Sequence, residues 1–381
     1  MTRCLLVDTN FSAGPLQASL MAAGHDVLVC GGNPGDALAR QATGHVALNY
    51  ADREALAQCI RAHDIDFLVP GCNDMSYAAC SDVNVHFGFP GIDSPDTNRV
   101  INDKALFRAA CQRLGLPSPA VLTAEQALLQ LPVIVKPTDA FSGRGVSIVR
   151  TPDGLAPALA LAVAQSRQGS AIIETFIEGP LHSHSGFLVN RRIVQDFIVA
   201  EHGSCNPFAV DTSHVIHDPD PVLLASLREA VHALADDLGL GDGLIHTQFI
   251  RTPDGFRFVE ITRRCPGDLY SQLITLSTGY PYVDAYVAPF IGRDIPIASE
   301  PLQRQAILRH TITTPQPLHL SHLRFTRPVA IERWVPLCVS GDALDVAPAG
   351  RVAVIFLREQ DMSGLAQLTD SALARTLYEL R

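Results

Sequence analysis

Within its first seventy residues the chain alternates short apolar runs with helical periods, and this pattern leaves few folds open. Residues 3–8 (RCLLVD), 26–30 (DVLVC) and 66–70 (DFLVP) suit buried strands, while residues 16–23 and 54–62 carry helical spacing. Buried strands separated by helices predict a parallel, doubly wound sheet. Residues 89–92 (FPGI) read as a last short strand. No GxGxxG follows the first strand, and Gly31-Gly32-Asn33-Pro34-Gly35 comes too late with the wrong spacing. The expectation is a Rossmann-like domain over residues 1–95 without a dinucleotide site.

The remainder mixes both element types, so the whole chain reads as α/β and α+β. Residues 96–115 are expected to form one helix that leads out of the first domain and stops at Gly115. Strands follow at 133–136 and 146–149 around a Gly-rich loop, then a helix at 155–165 and a strand at 170–176. A long helix at 222–238 precedes an antiparallel pair, 245–251 and 256–261, joined by Thr252-Pro253-Asp254-Gly255. Strand candidates at 304–312, 329–335 and 352–357 and a helix at 361–375 close the chain.

Composition narrows the class. The chain has 381 residues, 47% hydrophobic and 18% charged, which suits two or three domains with a real core and argues against disorder. Charged and polar residues interrupt every apolar stretch before the ~18 residues a span requires, and Asp8 falls where a signal peptide would stay apolar. Net charge is −10 with arginines scattered, which disfavours a nucleic-acid face. Nine cysteines form no CxxC and no metal spacing, as expected of buried free thiols in a cytoplasmic protein.

Of 29 basic residues only two are lysines, Lys104 and Lys136. Where either cation serves, this chain uses arginine. A retained lysine therefore marks a place that needs a compact ammonium, typically against phosphate. Lys136 ends a strand just before Ser142-Gly143-Arg144-Gly145, a turn whose backbone amides can wrap a phosphate. It is not a Walker A loop, since no helix and no GK[ST] follow. Further on, strand alternation puts Glu260, Thr262 and Arg264 on one face, and a pairing partner can set Gln248 beside them. Such oxygen ligands suit Mg²⁺, which takes its remaining ligands from phosphate and water.

In that order these pieces resemble the ATP-grasp superfamily, in its carboxylate–amine (L-amino-acid-ligase-like) branch, over nearly the whole chain. The resemblance rests on Asn102-Asp103-Lys104 in the linking helix and on Val133 through Lys136-Pro137 with its Gly-rich loop. It rests equally on Glu174-Thr175-Phe176-Ile177-Glu178-Gly179 and on Glu260-Ile261-Thr262-Arg263-Arg264. It implies an ATP-grasp domain over 96–299, with a linking helix at 96–115, a nucleotide lid at about 117–176 and a metal and substrate subdomain at about 177–299. A C-terminal lobe, 300–381, is expected to pack against it.

The resemblance also implies roles. Lys104 and Lys136 would neutralise ATP phosphates under Ser142, Gly143 and Gly145. Glu174, the Thr175 carbonyl and the Ile177 amide would take adenine, and Glu178 or His182 the ribose. Gln248, Glu260 and Thr262 would face Mg²⁺, with Mn²⁺ as the alternative. Arg264, with Arg263 and Lys136, would serve catalysis by binding the substrate carboxylate or the developing oxyanion. Two positions depart from the pattern: Gln248 stands for the commoner Glu, and Thr262 for Asn. Asp268 is a candidate to compensate for the lost charge, and glutamate at 248 is expected to be tolerated. His182 and His184 share a strand face without a visible third metal ligand.

The activity implied is ATP-dependent ligation of a small carboxylate to an amine, amino acids or their derivatives, through an acyl phosphate with release of ADP. A carboxylase-like or purine-pathway ligase is the alternative, and a degenerate ATP-binding sensor or scaffold is another. Neither a nucleic acid nor a membrane is expected as a partner; a homodimer is admitted.

Overall fold

The computed structural model describes residues 2–140 and 143–381. Its first domain is the expected parallel sheet. Strands β1 (Arg3–Val7), β2 (Asp26–Gly31), β3 (His45–Ala47) and β4 (Phe67–Pro70) lie in the order β3-β2-β1-β4. Helices α1 (Gly14–Ala22), α2 (Arg53–Ala62) and α3 (Asp74–Asn84) accompany them. The order reverses between β1 and β4, so their carboxyl ends open a crevice of the kind where ligands bind. α3 starts directly beyond β4, with the Asn73 side chain accepting from the Ser76 amide.

Two expectations give way here. No strand forms at 89–92, because the Asn84 side chain takes both the N–H and the C=O of Phe89 (2.6 and 3.0 Å). Gly91, at φ +75°, then turns the chain against the Pro289 backbone. The helix expected over 96–115 is two helices, α4 (Pro95–Asn102) and α5 (Lys104–Arg113). Asp103 leaves helical geometry (φ −93°, ψ 116°), and its carboxylate caps α5 at the Leu106 amide. Lys104 thus opens a helix rather than sitting inside one.

A small antiparallel sheet follows, with β5 (Val133–Pro137) between β6 (Ser147–Val149) and β7 (Ala171–Thr175). Val133, Val135, Val149 and Ile173 pack beneath α6 (Leu155–Gln165) on one face. Alternation sends Ile134, Lys136 and Glu174 to the other face.

The large sheet is antiparallel and eight-stranded. It contains β8 (Leu181–Val189), β9 (Arg192–His202), β10 (Thr212–Ile216), β11 (Gly243–Thr252) and β12 (Gly255–Thr262). It also contains β13 (Ala306–Thr313), β14 (Ala330–Pro336) and β15 (Arg351–Glu359), in the order β12-β11-β8-β9-β10-β13-β15-β14. Three C-terminal strands, β13, β15 and β14, therefore continue the main sheet. Helix α7 (Pro221–Leu238) covers one face through Leu227, Val231 and Leu234, against Leu188, Ile198, Ile245 and Phe249. Gln248, Ser183, Ser213 and Arg309 fall on the opposite face by register. All nine cysteines are free thiols, seven of them buried. Among the described residues no helix is long and apolar enough to cross a membrane.

Arg263 joins the first domain to the large sheet. Its Nε donates to Asp93 at 2.6 Å, and its other nitrogens donate to the carbonyls of Leu244 and Gly241 at 2.7 Å. Tyr77 donates to the same aspartate, and the ion pair is almost fully buried. Removing one partner leaves an unpaired charge in that seam. Asp93→Ala should destabilise the protein by roughly 3–5 kcal/mol, read as a lowered midpoint in urea.

Burial pushes the His214 imidazole down to about 4, with His202, His182 and His217 adding to the shift; its Nδ1 has no hydrogen-bond partner among the described residues. An unfolded histidine titrates near ~6.5. Between those values the unfolded chain takes up a proton that the folded one refuses, so stability falls on acidification. Thermal midpoints should drop from pH 7 to pH 5, with a shallower slope in His214→Phe.

Candidate active site

A cleft opens between the first domain, the small sheet and β12. Asp74, Asn102, Lys104, Asp139, Ala140, Arg167, Glu260, Thr262 and Arg264 line it. Four of the residues expected from sequence thus meet: Lys104, Glu260, Thr262 and Arg264. The Lys104 ammonium donates to the Ala140 carbonyl at 2.7 Å, beside the Gly-rich loop. Ser142 lies outside the described residues. Gly143 and Gly145 take positive φ (+70° and +68°), and Gly143 sits against Phe208 of the β9–β10 loop.

Gln248 and Glu260 are directly opposite in the β11–β12 register, as the sequence allowed. The register slips beside them, between Gln248 and Phe249, so Val259 is an extra residue in β12. Its carbonyl accepts from Arg108 at 2.7 Å. A bulge of this kind re-aims the side chains next to it. A carboxylate facing an amide is a hard-oxygen donor set that fits Mg²⁺. Among the described residues no three His, Cys, Asp or Glu gather that could hold a metal unaided. Thr262 is a poor third ligand, since its hydroxyl donates to Asp74 and accepts from the Arg264 amide, both at 3.3 Å.

Arg264 reaches the cleft and meets a partner that no sequence motif announces. Its Nε donates to Asp74 at 2.8 Å and its Nη2 at 3.4 Å. Burial opposes charge on Asp74, but the Arg264 guanidinium holds its carboxyl below the ordinary range. Asp74 follows the carboxyl end of β4, a position that could have signalled it. Arg263, expected to act in catalysis, points the other way into the Asp93 seam and does not line the cleft.

Glu174 also differs from expectation. Its carboxylate is fully buried, ion-paired with Lys136 Nζ and with Arg108 Nε, each at 2.8 Å. Burial raises its pKa, and the two cations more than reverse that, so the carboxylate stays ionised. Lys136 is itself buried, and desolvation pulls its ammonium down. The Glu174 side chain is therefore the counter-ion of Lys136 rather than an open adenine contact. Thr175 bridges to Ala120, its amide donating to the Ala120 carbonyl and its hydroxyl accepting from the Ala120 amide. Ile177 is half-buried and Glu178 exposed, beyond the end of β7.

His182 stacks on Phe249 (5.4 Å between ring centres) and, like Phe249, lies on the sheet face opposite Gln248. His184 shares that face and pairs with Asp196 at 3.0 Å, which also accepts from Arg228. Neither histidine joins the cation ligands.

Behind Gln248 the same face carries a buried polar row. Gln248 Nε2 donates to Glu201 at 2.6 Å, and Ser183 also bonds the Glu201 carboxylate. Burial pushes the Glu201 carboxyl up to about 7. Arg309, fully buried, donates to Ser213 at 2.8 Å and pairs with Asp268 at 2.9 Å. Its Nε has no hydrogen-bond partner among the described residues. Asp268 holds φ at +56°, a strained value for aspartate, and its amide donates to Ser12 of the first domain. No local pattern marks Glu201 or Arg309; only the sheet order brings them together.

Residues 103–288 match the family described as carbamoyl-phosphate synthase L chain, ATP binding domain. A formate-dependent phosphoribosylglycinamide formyltransferase of Bordetella pertussis is 31% identical over 182 residues, covering 43% of this chain and 44% of that protein. The chain thus spans less than half the length of that relative. In fold it is similar to an L-amino acid ligase from Bacillus licheniformis, with a TM-score of 0.80 at 15% identity over 100% of this chain and 98% of that one. It is also similar to the biotin carboxylase domain of Hydrogenobacter thermophilus 2-oxoglutarate carboxylase, in complex with MgADP and bicarbonate. The TM-score there is 0.76 at 15% identity, over 100% of this chain and 90% of that one.

The loop contact is open to a direct check. A Cβ on Gly143 would lie 2.5 Å from Phe208 Cβ, whereas one on Gly169, at a similar φ, would meet nothing within 4 Å. Gly143→Ala should weaken ATP binding on the order of tenfold, from about 1–3 kcal/mol of strain plus the clash. Gly169→Ala should leave ATP affinity, read by calorimetry, near that of the unmodified protein.

Proposed function

We propose, from the family match over residues 103–288 and a fold similar to that of an L-amino acid ligase, that the chain is an ATP-grasp protein acting as an ATP-dependent carboxylate–amine ligase that releases ADP and phosphate. The observation that carries this reading is the mixture of fixed charges around one cleft. Lys104 and Arg264 stand beside Glu260, with Asp74 across from them on the first domain. Lysines suit the phosphates as point charges, and a guanidinium suits a planar carboxylate.

In this mechanism Lys104 and Lys136 hold the triphosphate, and the loop at Gly143 and Gly145 closes over it. Glu260 and Gln248 would hold Mg²⁺, which neutralises charge on the transferring phosphoryl group. Arg264, kept charged and aimed by Asp74, orients the substrate carboxylate for attack on the γ-phosphorus. The carboxylate oxygen bonds to phosphorus as the bond to ADP breaks. An amine then attacks the acyl carbon, phosphate leaves, and the nitrogen loses a proton. Exclusion of water by the closed loop protects the acyl phosphate.

One feature favours this over a purine-pathway ligase. A phosphoribosyl substrate, such as the relatives' name contains, needs donors for its phosphate, and the turn after β1 is the natural place for them. Here Asp8 accepts from the Asn10 and Cys72 amides, and the Asn10 side chain from the Ser12 amide. Those three amides are already bonded within the fold.

ADP and phosphate should form quickly only when a carboxylate and an amine are both supplied from an amino-acid panel; AMP and pyrophosphate would end this reading. Arg264→Lys should lose coupling far more than ATP affinity, because an ammonium cannot make the bidentate contact. Glu260→Ala should abolish turnover, and turnover left intact there would argue for a different metal site.

A further inference from the structure

The metal reading leaves a question that the polar row answers: why position 248 holds an amide. A primary amide has a donor end and an acceptor end, and which end faces the cation is set by its other neighbour. The Nε2 of Gln248 donates to Glu201 at 2.6 Å, from the side of the sheet where β8 and β9 lie. Its Oε1 must then turn away from Glu201, towards β12, where Glu260 stands directly opposite. The flipped amide would set its oxygen against a carboxylate oxygen.

We propose that Glu201 is a positioning residue that orients the Gln248 carbonyl towards the cation shared with Glu260. The inference rests on the proposed metal site and adds to it a residue two strands away. Glu201 is itself held in place, since it is 5% exposed, bonded by Ser183 and opposite Ser213 in the β9–β10 register. Partners of this kind orient metal ligands without touching the metal.

The geometry reverses the expectation that glutamate at 248 would be tolerated. With Glu201 in place, Gln248→Glu would face two carboxylates across a 2.6 Å contact that now carries a hydrogen bond. The remedy is to exchange the pair. In Glu201→Gln/Gln248→Glu, the new amide at 201 donates to the carboxylate at 248, whose second oxygen faces the cation.

The test is a double-mutant cycle on Mn²⁺ affinity, measured with ADP at pH 8 by the electron paramagnetic resonance signal of free Mn²⁺, and needing no turnover. Gln248→Glu alone should weaken Mn²⁺ binding by roughly 10–100-fold. Glu201→Gln, which keeps an acceptor, should bind close to the unmodified protein. The exchanged pair should recover or exceed the starting affinity, which also guards against a single variant that fails to fold. If Gln248→Glu binds Mn²⁺ as tightly with Glu201 present as with Gln at 201, the positioning role is overturned. If Glu260→Ala leaves Mn²⁺ affinity unchanged, the metal site itself has failed, and that outcome is distinct.

Discussion

Two adjacent arginines at the end of β12 hold the site together. Alternation points Arg263 and Arg264 in opposite directions, and each finds an aspartate of the first domain, Asp93 at 2.6 Å and Asp74 at 2.8 Å. The strand that bears Glu260 is thereby tied to the parallel sheet, and the cleft between them acquires a fixed width. A buried pair such as Arg263–Asp93 need not add net stability, because desolvation offsets its attraction. What it contributes here is register. A slip of β12 by one residue would exchange the two arginines and send Glu260 to the wrong face.

Much of this was legible in the sequence, for stated reasons. Short apolar runs marked the parallel strands, and the turn put Gln248 and Glu260 on neighbouring strands, although the bulge at Val259 that sets them directly opposite was not legible. The scarcity of lysine pointed to Lys104, which lines the cleft, and to Lys136, which is buried against Glu174. The misses share a physical origin. Position 89–92 has strand composition, but Asn84 satisfies the Phe89 backbone from outside any sheet. Residues 96–115 have helical periodicity, but Asp103 prefers capping α5 to continuing α4. A local side-chain bond competes with regular structure there, and periodicity does not see it.

The site residues that sequence misassigned were lost for another reason. Glu174 and Arg263 sit inside recognisable motifs, yet their partners, Arg108 and Asp93, are distant in the chain and carry no signal. Position in a motif locates a residue on an element; only packing decides whether its charge is already spent. Glu201, Arg309 and Asp74 are the converse, silent in the sequence and placed by the order of the strands.

The division of labour between the two kinds of cation follows from their shapes. Arg263 makes bonds to one carboxylate and to the carbonyls of Leu244 and Gly241 at once. Arg108 joins Glu174 to the bulge carbonyl of Val259. Both arginines use the planar fork, and an ammonium could reach only part of either set of partners. Lys136 does the opposite work. It carries one charge on a slim stem, balanced at rest by a single oxygen of Glu174. Arg108 pairs the other oxygen of the same carboxylate, so the lysine is not the only cation on Glu174. The buried triad leaves both oxygens of Glu174 paired, with arginine on one side of the glutamate and lysine on the other.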